Sequence, residues 1–227
     1  MTAPDRDSTA ELLGELYDKT LAGNRPAVLD LTTQGLAQGV GPETLLYEAL
    51  IPALEEVGAR FERGDFFVPE MLIAGKAMAG ALDILRPLLA ETGAETIGTV
   101  VMGTVKGDVH DIGKNLVNIM FEGAGFQVID LGVQVAPEKF VDAIQQHKPD
   151  IVGFSAFLTT TMPMFKANIN ALTKAGLRDR VIVMVGGAPV TQEYADVVGA
   201  DGYAADASAA VVKAKELLRR RRALANA

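Results

Sequence analysis

The 227-residue sequence contains no cysteine and no tryptophan, and only two histidines. Without cysteine there is no disulfide, no zinc–thiolate or iron–sulfur ligation, and no thiol nucleophile. No apolar run approaches the ~20 residues that a membrane-spanning helix needs. The opening MTAPDRDSTAELL has no basic region followed by an apolar core and does not read as a secretory signal. A cytoplasmic protein with no membrane partner is therefore the expectation. Positive charge is also in deficit. Twenty-one Lys and Arg face 29 Asp and Glu, a formal net charge of −8, and an acidic surface repels phosphate backbones, so no nucleic-acid partner is expected. The one basic run, Arg219, Arg220, Arg221 and Arg222, falls at the end of an expected helix, where cations complement the helix dipole.

Apolar residues are plentiful enough for a buried core, and their spacing changes once along the chain. Over the first ninety residues it is helical. Leu12, Leu13, Leu16, Tyr17 and Leu21 share one face. Asn24 and Pro26 read as the cap and first turn of a second helix. A third segment, about 42–63, carries Leu46, Leu50, Ala53, Leu54, Val57 and Phe61 on one side. A fourth, about 68–89, does the same with Met71, Leu72, Met78, Leu82, Leu85 and Leu89. Four such helices with short connections imply a four-helix bundle over residues 1–91. From residue 92 to 227, short apolar runs alternate with amphipathic segments. Strands are expected within 96–105, 126–133, 150–157, 181–187 and 201–206, and helices near 113–124, 137–147, 161–175, 191–198 and 207–223. The first, third and fourth strands are apolar almost throughout, as strands covered on both faces are. Five β-α units imply a parallel sheet between layers of helix.

The first strand runs into GDVHDIGKN, residues 107–115, which holds one of the two histidines between two acids and two glycines. In an extended segment, residues two apart point the same way, so Asp108 and His110 project together while Val109 and Asp111 turn elsewhere. A carboxylate on one ring nitrogen fixes the tautomer and leaves the other as a directed lone pair, the usual support of a metal-ligating histidine. Local chemistry alone leaves other readings open. The pair could serve as a general base, although no nucleophile stands beside it in the sequence. One histidine with carboxylates is a poor zinc set. Asp108 could simply cap the helix that starts near Gly113. His147 sits at the polar end of a helix, where a surface role is expected.

Other strand ends carry related signals. After the third strand, GFSAFLTTTM gathers Ser155, Thr159, Thr160 and Thr161, hydroxyls suited to a polar ligand or, in the plainer reading, to a helix cap. After the fourth, Gly186 and Gly187 leave room for a ligand to approach the backbone. The fifth ends in small residues, DGYAADAS. Ligands of open parallel sheets bind at these carboxyl ends. Three neighbouring ends of this kind describe a groove.

Asp108-x-His110-x-x-Gly113, followed after forty-one residues by Ser155-x-Phe157 and after twenty-eight more by Gly186-Gly187, resembles the cobalamin-binding signature. With the helical segment ahead of it, the chain resembles the corrinoid proteins of multi-component methyltransferases and the cobalamin module of methionine synthase. The resemblance implies a Rossmann-like, flavodoxin-like α/β domain preceded by an all-α cap domain, and a cobalamin or related corrinoid bound with its own base detached. His110 would be the lower ligand of the cobalt, Asp108 its partner, and Thr161 the relay hydroxyl where methionine synthase-like proteins have serine. The loop Gly107, Asp108, Val109, His110, Asp111, Ile112 and Gly113 would lie beneath the corrin. Ser155, Phe157, Leu158, Thr159, Thr160, Gly186, Gly187, Tyr203, Ala204 and Ala207 would line the nucleotide tail. Phe157 departs from the leucine of the signature and is bulkier. Phe66, Phe67, Met71 and Leu72 of the helical domain would shield the upper face.

The function implied is that of a methyl carrier in one-carbon metabolism rather than of an enzyme acting alone. The methyl group would be held as methylcobalamin and given up to leave cob(I)alamin. Its partners would be a substrate-specific methyltransferase, an acceptor methyltransferase using a folate or a thiol, and a reductive activase. The rival classes fit less well. Cobalamin-based sensors share this domain pair, but the chain has no recognisable DNA-binding domain and no tryptophan for the upper face. The small subunit of an adenosylcobalamin mutase usually lacks the helical domain. A phosphoacceptor domain needs an acid at the end of the third strand, where Ser155 stands.

Overall fold

The computed structural model describes residues 6–92 and 96–225. It divides into two compact units, one comprising the residues up to Thr96 with Glu122–Gly125, the other Ile97–Phe121 and the residues from Phe126 onward.

The first unit is helical: α1 (Arg6–Leu21), α2 (Arg25–Ala37), α3 (Pro42–Leu45), α4 (Ile51–Glu62) and α5 (Val68–Thr92). Asn24 caps α2 through its side chain, which accepts the Ala27 N–H, and Pro26 lies in the first turn, where a missing N–H costs nothing. α3 and α4 form one continuous helical segment joined by a single π turn, Leu46–Leu50, in which the Ile51 N–H reaches back to the Leu46 carbonyl. Helical periodicity does not reveal that turn. Its cause is Pro52, whose ring would crowd the carbonyl four residues earlier and which has no N–H to donate; widening the preceding turn relieves both conflicts. The apolar stripes meet as their spacing requires, with Leu16, Leu45, Leu50, Leu54, Met71, Met78 and Leu85 fully buried.

The second unit alternates strand and helix: β1 (Thr99–Thr104), α6 (Ile112–Gly123), β2 (Gln127–Asp130), α7 (Pro137–His147), β3 (Ile151–Ser155), α8 (Pro163–Lys174), β4 (Ile182–Gly186), α9 (Gln192–Val198), β5 (Gly202–Tyr203) and α10 (Ala207–Ala225). The strands form one parallel sheet in the order β2-β1-β3-β4-β5. This is the five-stranded Rossmann-like architecture expected. The three apolar strands occupy the centre, and β2 and β5 form the edges. β5 is shorter than its apolar run because the chain leaves the sheet after Tyr203, and Asp206 then caps α10 by accepting the Ala209 N–H. Two glycines make room for neighbours within the sheet layers: a Cβ at Gly103 would lie 2.8 Å from the Phe140 ring, and one at Gly153 2.1 Å from the Met102 sulfur.

Two features place the ligand-binding edge. The chain leaves β1 toward β2 on one side and reaches β3 on the other, so the topological switch point lies between β1 and β3. The last rung at the carboxyl edge aligns Thr104 with Ser155 and Ser155 with Gly186. The opposite edge is tied down by acids. Asp150 accepts the Thr99 N–H and Asp201 the Val183 N–H. The arginine run does more there than complement a dipole. Arg222 donates to the Ile97 carbonyl and Arg221 to that of Asp179, fastening the end of α10 to the amino side of the sheet. No helix among the described residues is long and apolar enough to cross a membrane.

Candidate cofactor site

The loop between β1 and α6 and the loop between β3 and α8 meet at the switch point around one carboxylate. Asp108 is fully buried. Its Oδ1 accepts the His110 backbone N–H at 3.0 Å and lies 2.7 Å from His110 Nδ1. Its Oδ2 accepts the Phe157 N–H at 2.8 Å, the Leu158 N–H at 3.2 Å and the Thr161 hydroxyl at 2.7 Å. Burial pushes the Asp108 carboxyl up, but the hydrogen bonds outweigh it. The Thr161 hydroxyl first, then the His110 N–H, the His110 ring and the Phe157 N–H, hold it well below the ordinary carboxylate range. An ionised carboxylate accepts only, so His110 Nδ1 carries a ring proton, and in the neutral imidazole the lone pair is on Nε2. The His110 side chain is 43% exposed, which opens that lone pair to a ligand.

The loop is fixed on several sides. Its turn uses Gly107 at φ +86°, a conformation that favours glycine. The Thr104 hydroxyl donates to the His110 carbonyl, and the Gln134 N–H to the Asp108 carbonyl. The capped-turn alternative fails, because both oxygens of Asp108 are turned to His110 and the β3–α8 loop. The first turn of α6 uses the Asp111 carbonyl, which accepts the Asn115 N–H. The Thr161 hydroxyl, with one proton, faces two acceptors, Asp108 Oδ2 at 2.7 Å and the Leu158 carbonyl at 2.8 Å.

Around His110 the surface is apolar. Val109, Ile112, Phe157 and Leu158 are 57%, 71%, 51% and 39% exposed. The Phe157 ring stacks on the imidazole, centroids 4.4 Å apart. Asp111 and Ser155 are half-buried; Gly113, Thr159 and Thr160 are exposed. The two glycines after β4 differ. A Cβ at Gly186 would touch only the Ala204 carbonyl oxygen at 3.7 Å, an ordinary contact, so open space lies over that backbone. A Cβ at Gly187, where φ is +131°, would fall 1.8 Å from the Ala156 carbonyl oxygen. Gly187 is thus required by the fold's own backbone, whether or not a ligand approaches it. Tyr203 and Ala204 are half-buried, and Ala207 is buried at the start of α10.

In the helical unit, Phe66 lies half-buried with the Arg60 guanidinium 5.2 Å from its ring, and Phe67 is 65% exposed. Met71 is fully buried and Leu72 half-buried. Sequence reasoning passed over Thr104, the hydroxyl that ends an apolar strand, and Gln134, held at φ +53° against the loop. Among the described residues no three His, Cys, Asp or Glu side chains converge on a metal ion. His110 offers a single nitrogen, which suits a metal that arrives with its other ligands.

Two family models match the chain, both described as a B12 binding domain, one over residues 98–212 and one over 12–86. The chain is 42% identical to a dimethylamine corrinoid protein of Methanosarcina barkeri over 212 residues, covering 93% of this chain and 99% of that one. It belongs to the B12-binding corrinoid proteins. It is also 42% identical to a trimethylamine corrinoid protein of Methanosarcina mazei, over 89% of this chain and 91% of that one. Among solved structures it is similar to a cobalamin-binding protein from Desulfitobacterium hafniense DCB-2, with a TM-score of 0.74 and 30% identity, over 92% of this chain and 97% of that one. It is also similar to a chain of the methanol:cobalamin methyltransferase complex MtaBC from M. barkeri, with a TM-score of 0.81 and 28% identity, over 96% of this chain and 82% of that one. The cofactor of this corrinoid protein is a cobalamin or related corrinoid, and the residues present fit it: an exposed imidazole within an apolar surface, and bare backbone at Gly186 on the same edge of the sheet.

The buried carboxylate makes the stability of the protein without its cofactor depend on pH. A carboxyl whose folded pKa lies below its unfolded value of about 3.9 contributes stability that is fully present above that value and is lost as pH falls toward the folded one. Asp108→Asn is expected to lower stability by on the order of 1–3 kcal/mol above about pH 5. Its gap from wild type should narrow below about pH 4. Guanidinium unfolding between pH 3.5 and 7 reads this, and a gap that does not change with pH contradicts the assignment.

Proposed function

We propose that this corrinoid protein is a methyl carrier in a methylamine-dependent methyltransferase system, passing the group from a substrate-specific methyltransferase to an acceptor methyltransferase. The observation that carries the reading is the Asp108–His110 pair. One nitrogen is held at 2.7 Å by a buried carboxylate, and the exposed side chain leaves the other able to hold a metal. The names of the similar methanogen proteins support a methylamine as the donor, and a folate or a thiol is the acceptor the reading calls for. A reductive activase completes the set of partners.

The bound corrinoid supplies the cobalt that accepts and releases the methyl group. The chain's residues do the rest. His110 Nε2 would hold the cobalt, and the carboxyl ends of β3, β4 and β5 would hold the cofactor's tail. Asp108 keeps the proton on Nδ1 and the lone pair on Nε2. The Thr161 proton, which can go to Asp108 Oδ2 or to the Leu158 carbonyl, would strengthen or relax that hold. Gly107, Val109, Asp111, Ile112, Gly113, Phe157 and Leu158 exclude water below the ring. Ser155, Thr159 and Thr160 would offer hydroxyls to the tail, and Gly186, Gly187, Tyr203, Ala204 and Ala207 would line it. Phe66, Phe67, Met71 and Leu72 are the helical unit's candidates for sheltering the reactive face, Phe67 being the most exposed.

The corrinoid-loaded protein, reduced and mixed with dimethylamine and a dimethylamine-specific methyltransferase, is expected to take up the isotope-labelled methyl group on its corrinoid. Failure with each of the mono-, di- and trimethylamine-specific enzymes would overturn the methylamine reading. The groove has its own test. Gly186→Ala adds a methyl that the fold accommodates, so its unfolding midpoint should match wild type while corrinoid affinity falls about tenfold, roughly the cost of one misplaced methyl against a close-packed ligand. Unchanged affinity places the tail elsewhere.

A further inference from the structure

We propose that Phe157 is a positioning residue for His110, its ring setting the plane of the imidazole and so the direction of Nε2. This deepens the reading of His110 as the axial ligand and rests on it. The Cβ tether and one hydrogen bond from Nδ1 to Asp108 hold the imidazole along one edge and leave its plane room to rock. A contact on a face of the ring limits that rocking, and Phe157 supplies it. The two rings lie 26° from parallel with centroids 4.4 Å apart, closer than any other ring pair the described residues form. Nothing in the core requires an aromatic there. Phe140, Phe154 and Phe165 of the same unit are buried, whereas Phe157, in the loop after β3, is 51% exposed. An apolar ring left half in water with its face on an imidazole is placed for that contact.

The stack is aligned by the same carboxylate that holds the histidine. Asp108 accepts from His110 through Oδ1 and from the Phe157 N–H through Oδ2 at 2.8 Å, so both partners are indexed to one rigid group. A leucine at 157 could keep that backbone hydrogen bond and much of the apolar surface but would present no ring face. The aromatic ring itself is therefore what the proposal assigns, and tyrosine should replace it.

The test compares wild type, Phe157→Leu and Phe157→Tyr, and reads the imidazole rather than activity. The chain has two histidines, so the ring protons of His110 and His147 are readily told apart in the protein without corrinoid. The ring current of Phe157 should shift the His110 signals in wild type and Phe157→Tyr, and the shift should collapse in Phe157→Leu. The three proteins, made with ring-15N histidine and loaded with cob(II)alamin, are then examined by electron paramagnetic resonance, where splitting from a 15N nucleus counts the molecules with imidazole on cobalt. The ligated-to-unligated ratio should fall roughly two- to tenfold in Phe157→Leu, the worth of an aromatic pair, and recover in Phe157→Tyr. Ring shifts that are the same in wild type and Phe157→Leu, or an unchanged ligated ratio in Phe157→Leu, would overturn the positioning role while leaving His110 on the metal. Corrinoid bound to wild type with no 15N splitting would instead remove His110 from the cobalt, and the positioning role with it.

Discussion

The buried charge of Asp108 is the interaction on which the site depends. Taking a carboxylate out of water costs several kcal/mol, and the cost is recovered only when both oxygens are saturated with well-placed donors. Here five donors do so: a backbone N–H and a ring nitrogen from His110, two backbone N–H groups and a hydroxyl from the next loop. Those donors come from two loops some fifty residues apart in sequence. The carboxylate therefore fastens the β1–α6 loop to the β3–α8 loop. It also commits His110 to one tautomer. Holding the site together and fixing the imidazole are one act.

The sheet makes that meeting possible. In the order β2-β1-β3-β4-β5 the two central strands that flank the switch point deliver their loops side by side. Glycines inside the layers serve this geometry. Gly103 lets Phe140 pack down on β1, Gly153 makes room for Met102, and Gly187 lets the chain after β4 close on Ala156. Gly186, one residue earlier, has space above it. The adjacent pair thus differs: one glycine is required by the fold, and the other leaves space above the backbone.

Much of this was legible in the residues. Apolar periodicity located every strand and the main helices, and the alternation of an extended segment placed Asp108 beside His110. The Thr161 hydroxyl was reached only through the family resemblance, since nothing local connects positions fifty-three apart. The Phe157 and Leu158 N–H donors have no signature at all, because any residue carries one. Thr104 looked like the end of an apolar strand until its partner, the His110 carbonyl, was seen. Gly187 carries a further signal that the sequence does not separate, since a missing Cβ reads the same whether a ligand or the protein's own backbone fills the space. The π turn was hidden because a helical pattern tolerates one extra residue, and its only mark was Pro52. The departure at Phe157, which stood out as an oversized side chain in the signature, proves to be the ring that covers His110.

The measurement that bears most directly on the central claim is the absorbance spectrum of the protein reconstituted with hydroxocobalamin, recorded for wild type and His110→Ala. The account predicts a spectrum with the cofactor's own base displaced and histidine on the cobalt in wild type, and the loss of that ligation in the variant. Equal spectra from the two proteins would take His110 off the metal, and a wild-type protein that retains no corrinoid would contradict the account as a whole.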